Sequence, residues 1–574
     1  MRKTYLLIIA FIFLQSYFLA SCNSGDKTAP TAIPSDSLTI AKGEISFGEK
    51  CSSCHNFSQD GIGPQLGGIT NAEPLSWLKN FISNPKKVSD SGDTTAAKLL
   101  KRYKVLMPSF DNLTDAQLDE LIAFINTKKK HVRPAVKEDS GYITNPFPDS
   151  IRTSDLVVDI VPVTQIPASS SDAPVTRITK LDYEPGSGDL YVLDLRGKLY
   201  KLINGKPEVY MDMQKLEQKF INQPGLATGF GSFTFHPDFS KNGLLYTSHA
   251  EPAATKKADF NYPDSIPVIM QWVVTEWKTD PKGFPFKGTP RELMRIDMPN
   301  GIHGMQELTF NRDAKPGDED YGLLYIGIGD GGSTEIGYPL VSANADRIWG
   351  TIIRIDPSGN NSTNGQYGIP PSNPFVKQHD KNFLPEIYAY GFRNPHRISW
   401  TSSGKMLAVN IGQSNVESVN LVLPGHFYGW PLREGTFTEK FFNETGRIYP
   451  LPPDDSIYHV TYPVVELDHD ESTAITGGFE YRGTAIPKLR GKYLFGDIGS
   501  GRLFYVNMKD LILGKQAPIQ KWSIDLNGIP TNLVKLSGKD RVELRFGKDS
   551  KGELYLSTKA DGKIYKLVGA HLKS

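Results

Sequence analysis

Gly322-Leu323-Leu324-Tyr325 is one of six copies of a short phrase in this 574-residue chain, a glycine followed within two residues by an apolar, β-prone run. The others are Gly188-Asp189-Leu190-Tyr191, Gly243-Leu244-Leu245-Tyr246, Gly404-Lys405-Met406-Leu407, Gly491-Lys492-Tyr493-Leu494 and Gly552-Glu553-Leu554-Tyr555, at intervals of 55 to 87 residues. Short strands that each follow a glycine turn, with no helical stretch between them, indicate radial repetition of one small sheet. The closing Asp561-Gly562-Lys563-Ile564-Tyr565-Lys566-Leu567 mirrors Arg196-Gly197-Lys198-Leu199-Tyr200-Lys201-Leu202, so the pattern reaches both ends of the region. The expectation is an all-β six-bladed propeller over 156–574. A two-domain β-sandwich is the alternative.

The region before it reads differently. Cys51-Ser52-Ser53-Cys54-His55 is a Cys-x-x-Cys-His sequence, which attaches a c-type haem through two thioethers and offers an imidazole to the iron. Ala41 to Lys50, with Ile45 and Phe47, predicts a short helix leading into it. Trp77 to Ile82 has helical apolar spacing, and Leu106-Met107-Pro108-Ser109-Phe110 presents a thioether in an extended loop. Thr114 with Gln117 is a capping box, opening a helix whose buried stripe is Leu118, Leu121, Ile122 and Ile125. The order helix, Cys-x-x-Cys-His, loop, methionine, helix resembles a class I cytochrome c over 36–128. That resemblance implies a covalent haem c with iron held by His55 and Met107. A saturated site of this kind suits electron transfer; the other reading of Met107 is a core methionine.

Residues 1–22 read as a lipoprotein signal peptide: Arg2 and Lys3 precede an apolar run, and Leu19-Ala20-Ser21-Cys22 matches a lipobox. An ordinary secretory signal is the alternative. Residues 23–35 are a flexible tether and 129–155 a linker. With Cys22 acylated and the other two cysteines on haem, no thiol is left for a disulfide. Sixty-four basic residues against sixty-three acidic ones leave a net charge of +1, which gives no reason to expect a nucleic-acid partner.

Four further segments carry polar groups at strand ends. They are Asn300 to Leu308 with His303, Ile326 to Gly332 with Asp330, Tyr390 to Arg397 with Arg393, and Tyr428-Gly429-Trp430-Pro431. With Phe235-His236-Pro237-Asp238-Phe239, Ile475-Thr476-Gly477-Gly478 and Tyr481-Arg482-Gly483, they resemble the quinoprotein glucose/sorbosone dehydrogenase family. The resemblance spans roughly residues 175–568 and implies a propeller that uses pyrroloquinoline quinone (PQQ) and calcium.

On that resemblance His303 is the general base, Asp330 the carboxylate that orients it, and Arg393 with Asn394 the partners of the quinone oxygen. The carbonyls of Gly412 and Gln413 are the implied calcium ligands. Arg541 and Arg545 stand for the family's arginine pair, and Arg502 is the basic residue closest to its lysine, which aligns near Gly499. Ala227 stands where glucose-oxidising members have a glutamine, and His236 reads as structural.

The expectation is therefore a quinohaemoprotein dehydrogenase in the bacterial cell envelope, facing the periplasm and held to the membrane by lipid on Cys22. It oxidises a sugar or polyol and passes electrons to its haem, then to an acceptor such as a respiratory cytochrome. The alternative is a propeller that only binds a glycan or protein, because Asn410 to Ser418 is similar to the branch that includes the propeller of Hedgehog-interacting protein.

Overall fold

The computed structural model describes residues 32–52, 54–57, 60–130, 141–171, 174–224, 227–263, 265–377, 383–440 and 446–573. The expected signal peptide with Cys22, nearly all of the tether and residues 131–140 of the linker lie outside the described residues. Among the described residues no helix is long and apolar enough to cross a membrane.

Residues 37–126 form only helices among those described, and large all-β structure follows from Thr153. The first helix, Ser37–Lys50, starts earlier than the apolar spacing suggests, because the Asp36 carboxylate caps it by accepting from the Thr39 amide at 3.0 Å. Its apolar face carries Phe47, whereas Ile45 is 63% exposed, two residues being too close along a helix to share one face. The last helix, Asp115–Asn126, opens with the Thr114–Gln117 capping box and buries Leu118, Leu121, Ile122 and Ile125. The two helices pack at Gly43, where a Cβ would stand 1.9 Å from the Glu120 carbonyl oxygen. Phe47, Phe57 and Phe124 fill the space beside that crossing, with Phe47 and Phe57 stacked at 4.7 Å. Leu75–Ser83 forms as expected, and Trp77 stacks on Phe81.

Among the described residues the strands form a 13-stranded sheet, three four-stranded sheets and one small three-stranded sheet; the 13-stranded sheet divides at its two parallel pairs into three runs of four antiparallel strands, so six such units can be traced. The second unit, Phe230–Phe235, Leu244–Pro252, Met270–Thr279 and Gly288–Met298, shows the pattern, each strand paired with the next in sequence. Each of the six echo glycines stands one or two residues before the second strand of a unit. Gly188, Gly243, Gly322, Gly404, Gly491 and Gly552 have φ between 62° and 78°, a left-handed turn that costs glycine nothing. The mirrored Lys198–Ile203 and Lys563–Leu572 are both third strands.

The last unit borrows its outer strand from the start of the region. Thr153–Gln165 runs antiparallel to Lys563–Leu572, so the two ends of the β structure are tied together. The innermost strands begin at Ile178, Phe230, Glu307, Pro395, Ile475 and Leu544, and each touches the next, the last also touching the first. Buried Lys180, Glu307 and Arg397 meet there, with Lys180 Nζ 2.6 Å from a Glu307 carboxylate oxygen. Between neighbouring units lie apolar layers such as Tyr246, Trp272, Ile326 and Ile353.

Candidate functional site

Every inner strand enters from the same end and its antiparallel neighbour returns to that end. Residues just before an inner strand or just after a second strand must therefore converge. His303, Arg393, Asn394 and Arg541 occupy the first kind of position, and Gly412, Gln413 and Lys559 the second. All of these line one cavity of about 1610 Å³. Cys51, Cys54, His55 and Met107 of the helical region line the same cavity.

His303 Nδ1 lies 2.6 Å from Asp330 Oδ1, which also accepts from the Gly332 amide at 2.9 Å. Trp430 Nε1 donates to Oδ2 at 3.1 Å. A carboxylate only accepts, so Nδ1 carries the hydrogen and Nε2 keeps its lone pair. Burial pushes the Asp330 carboxyl up, but the His303 ring, Arg393 and the Gly332 amide outweigh it and hold the group below the usual carboxylate range. His303 itself sits at φ 52°, a strained conformation for a histidine. Gly329 lets the next strand end pass close beneath it, since a Cβ there would come within 2.3 Å of the His303 carbonyl oxygen.

Arg393 is 2% exposed, and each of its three side-chain nitrogens donates a hydrogen bond, Nη1 and Nη2 each carrying a second N–H. Nε donates to Gln413 Oε1 and Nη1 to the Gly412 carbonyl, both at 2.6 Å, while Nη2 donates to Glu335. Burial works against its charge, but Glu335 and Asp330 raise its pKa above the ordinary arginine value. The Gly412 carbonyl and the Gln413 side chain therefore already serve a guanidinium. The Gln413 atom engaged is the side-chain oxygen, whereas the implied calcium ligands are the two main-chain carbonyls, and the Gly412 oxygen has a second lone pair beside its bond to Arg393.

Elsewhere the lining is cationic, with Arg541, Arg545 and Lys559 gathered around one carboxylate, Glu543. Arg545 Nε and both ring nitrogens of His396 are buried without hydrogen-bond partners. Burial first, then neighbouring Arg397 and Arg541, push Arg545 down to about 9 despite Glu543. Burial and Arg545 likewise press Lys559 well below the usual lysine value. Buried donors left open among crowded cations fit a compact polycarboxylate such as PQQ. Arg541 lines the cavity and is held by Glu543. Arg502 is elsewhere: its guanidinium donates to the carbonyls of Asp470 and Glu471 at 2.6 and 2.9 Å, and it does not line the cavity. Lys559 and Glu335 are not marked by the sequence reading; what locates Lys559 is its place directly after the strand that follows the sixth echo glycine.

On the helical side, His55 Nδ1 lies 2.8 Å from the Pro64 carbonyl oxygen. That oxygen only accepts, so Nε2 is the unprotonated nitrogen, as a haem ligand requires. Burial pushes the Cys51 thiol up to about 12, the reverse of the lowered value a redox-active Cys-x-x-Cys dithiol needs. Leu78, Ile82, Leu121 and Met107 complete an apolar wall, so the residues present fit a haem.

The Glucose / Sorbosone dehydrogenase family profile matches residues 184–523, more than half of the chain. The chain belongs to that family. Residues 40–129 match the Cytochrome c profile. The chain is similar to HIPL1 protein of Arabidopsis thaliana, 30% identical over 320 aligned residues, with 48% of this chain and 43% of that one covered. It is 24% identical over 229 residues to quinoprotein glucose dehydrogenase B of Acinetobacter calcoaceticus, covering 37% of this chain and 42% of the relative. The apo structure of soluble aldose sugar dehydrogenase from Escherichia coli shares the fold, with a TM-score of 0.51 at 18% identity over 72% of this chain and all of the other. The chain spans less than half the length of the curated relatives it matches first.

Within the family comparison two further positions resolve. Ala227 lines the cavity, and Gln223 also lines it with a buried, unpartnered side-chain oxygen. At Gly499 a Cβ would stand 3.9 Å from Arg541 Nη1, so Arg541 brings charge to the neighbourhood where the family's lysine aligns. His236 accepts from the Asp238 amide and contacts Asn242 in its own turn, away from the cavity.

Proposed function

We propose that this protein is a quinohaemoprotein dehydrogenase that oxidises the CH–OH group of a sugar or polyol. One observation carries the reading: a single cavity is lined both by His303 and Arg393 and by Cys54, His55 and Met107. The six four-stranded units are read as the blades of a propeller, supported by the ring of contacts between inner strands. His303, backed by Asp330, and Arg393 face one pocket, an arrangement for which a purely adhesive module has no use.

His303 takes the proton of the substrate hydroxyl at Nε2, while Asp330 fixes the ring and stabilises the imidazolium. Arg393 and Asn394 stand ready to hydrogen-bond an oxygen that gains negative charge. Arg541, Arg545 and Lys559 hold the carboxylates of PQQ, which when bound supplies the hydride acceptor. Cys51 and Cys54 would attach a haem c whose iron His55 and Met107 would hold, and such a haem would supply one-electron transfer to an external acceptor such as a respiratory cytochrome. A lipid on Cys22 would hold the protein in the cell envelope facing the periplasm.

The test is to reconstitute the haem-loaded protein with PQQ, add a panel of aldoses and polyols, and follow haem reduction by absorption. Substrate-dependent reduction that disappears in His303→Ala is the expected result. A propeller that binds no PQQ, or reduction unaffected by the substitution, overturns the reading.

A further inference from the structure

His469 is a buried titratable group that the chemistry above leaves unused. It directly follows the strand Val465–Asp468, lines the shared cavity and is 8% exposed. Nε2 lies 3.2 Å from Glu417 Oε1, and Nδ1 has no partner. Glu417 is fully buried, and it accepts from the amides of Gly412 at 3.2 Å and Ile475 at 2.8 Å. Glu417 thus joins His469 to the loop that carries the acceptors of Arg393.

The neighbouring residue turns the other way. Asp470 pairs with Lys104, three residues before Met107. Arg541 lies within electrostatic reach of Cys54 and Asp497, and Asp497 within reach of His469. The groups facing His469 are Glu417, Glu434 and Asp497, with the Asp470–Lys104 pair and Arg502 beside its backbone. Burial disfavours its charge, but those three carboxylates outweigh burial and hold its pKa above the ordinary imidazole value.

We infer that His469, backed by Glu417, is the base that takes up the proton accompanying each electron delivered to the haem, and releases it when the haem is reoxidised. The inference rests on the dehydrogenase reading. A reduced quinone gives up two electrons and two protons in returning to the quinone. The single haem would accept the electrons one at a time, reoxidised by the external acceptor between them, and an iron already held by His55 and Met107 takes no proton. The C–H hydrogen arrives at the quinone as hydride and the hydroxyl proton passes to it through His303, so two protons leave with the two electrons, and His469 is placed to receive them in turn. His469 holds one proton at a time; an external oxidant removes each electron and solvent receives each proton, which closes the balance.

The test uses the full, haem-loaded chain without PQQ. The haem midpoint potential is measured against pH in the wild type, His469→Gln and Glu417→Gln. The expected wild-type potential falls as pH rises through the titration of His469. The dependence is lost in His469→Gln and moves to lower pH in Glu417→Gln, where a stabilising negative charge is gone. A pH-independent wild-type potential, or an unchanged slope in His469→Gln, overturns the inference; should that variant not fold, the wild-type slope and the Glu417→Gln shift still decide.

A second arm adds PQQ and sugar. Reduction of bound quinone should be unchanged in His469→Gln, while haem reduction slows at least ~10-fold, as expected for loss of a positioned base. Equal haem reduction in both proteins also overturns the inference. If wild type binds no PQQ, the dehydrogenase reading fails, whereas the potential measurement still reports whether His469 couples to the haem.

Discussion

The His303 imidazole and the Asp330 carboxylate meet at 2.6 Å, and they do so with His303 in a left-handed backbone conformation. The contact spans 27 residues and joins the loop before an inner strand to the end of the next strand in the same unit. Position, tautomer and strain are set together. A histidine that is merely tolerated in a loop has no such fixed partner.

Asp330→Asn tests that relationship. The folded-state pKa of Asp330 is depressed, so its ionised form stabilises the fold above the usual carboxylate pKa, and this contribution is lost as pH falls through the depressed value. The substitution should flatten the acid limb of an unfolding-against-pH curve. Activity should drop by ~10²–10⁴-fold, the range set by positioned acid–base groups. An unchanged rate would show that His303 needs no orienting carboxylate.

Lys559→Met tests the cationic wall. Burial depresses the Lys559 pKa, so between its folded and unfolded values the unfolded chain binds the extra proton and stability rises with pH. The cofactor-free wild type should therefore gain melting temperature from neutral toward alkaline pH. Lys559→Met should remove that gain and raise the neutral-pH melting temperature. Its affinity for PQQ, followed by quenching of intrinsic fluorescence, should fall ~10-fold or more, the scale of one charge-assisted hydrogen bond.

Two glycine substitutions separate strain from collision. At Gly404 φ is 78° and nothing lies within 4 Å of an added Cβ, so Gly404→Ala should cost about 1 kcal/mol, from backbone conformation alone. Gly43→Ala places a methyl 1.9 Å from the Glu120 carbonyl oxygen and must separate the two helices that frame the haem pocket. Chemical denaturation should show a small shift in midpoint for the first. The second should lose the low-spin haem spectrum, or fail to retain haem.

These glycines also mark what the sequence makes legible. A left-handed turn before each second strand leaves a residue-type signature, so the repeat can be read without coordinates. His303, Asp330 and Arg393 stand within recognisable phrases of their own loops. Lys559 and His469 do not, because their importance comes from which end of a strand they terminate and what faces them across the axis. Arg502 fails for the same reason in reverse: it is close to the right place in the chain, but the carbonyls of Asp470 and Glu471 draw its guanidinium aside.

The contact between the haem-bearing region and the β region offers the last test. Lys104 and Asp470 form an ion pair with side chains 35% and 49% exposed, so screening and side-chain entropy limit it to roughly 0–1 kcal/mol. A pair that weak fixes orientation without locking it. Lys104→Glu should slow substrate-driven haem reduction several-fold at low ionic strength, and the double exchange Lys104→Glu with Asp470→Lys should restore it. Raising the salt should bring wild type and single variant together, since exposed charges are screened over about 10 Å at 0.1 M. Equal rates at low salt in all three proteins would mean that other contacts hold the two regions in register, and that the Lys104–Asp470 pair is incidental to electron transfer.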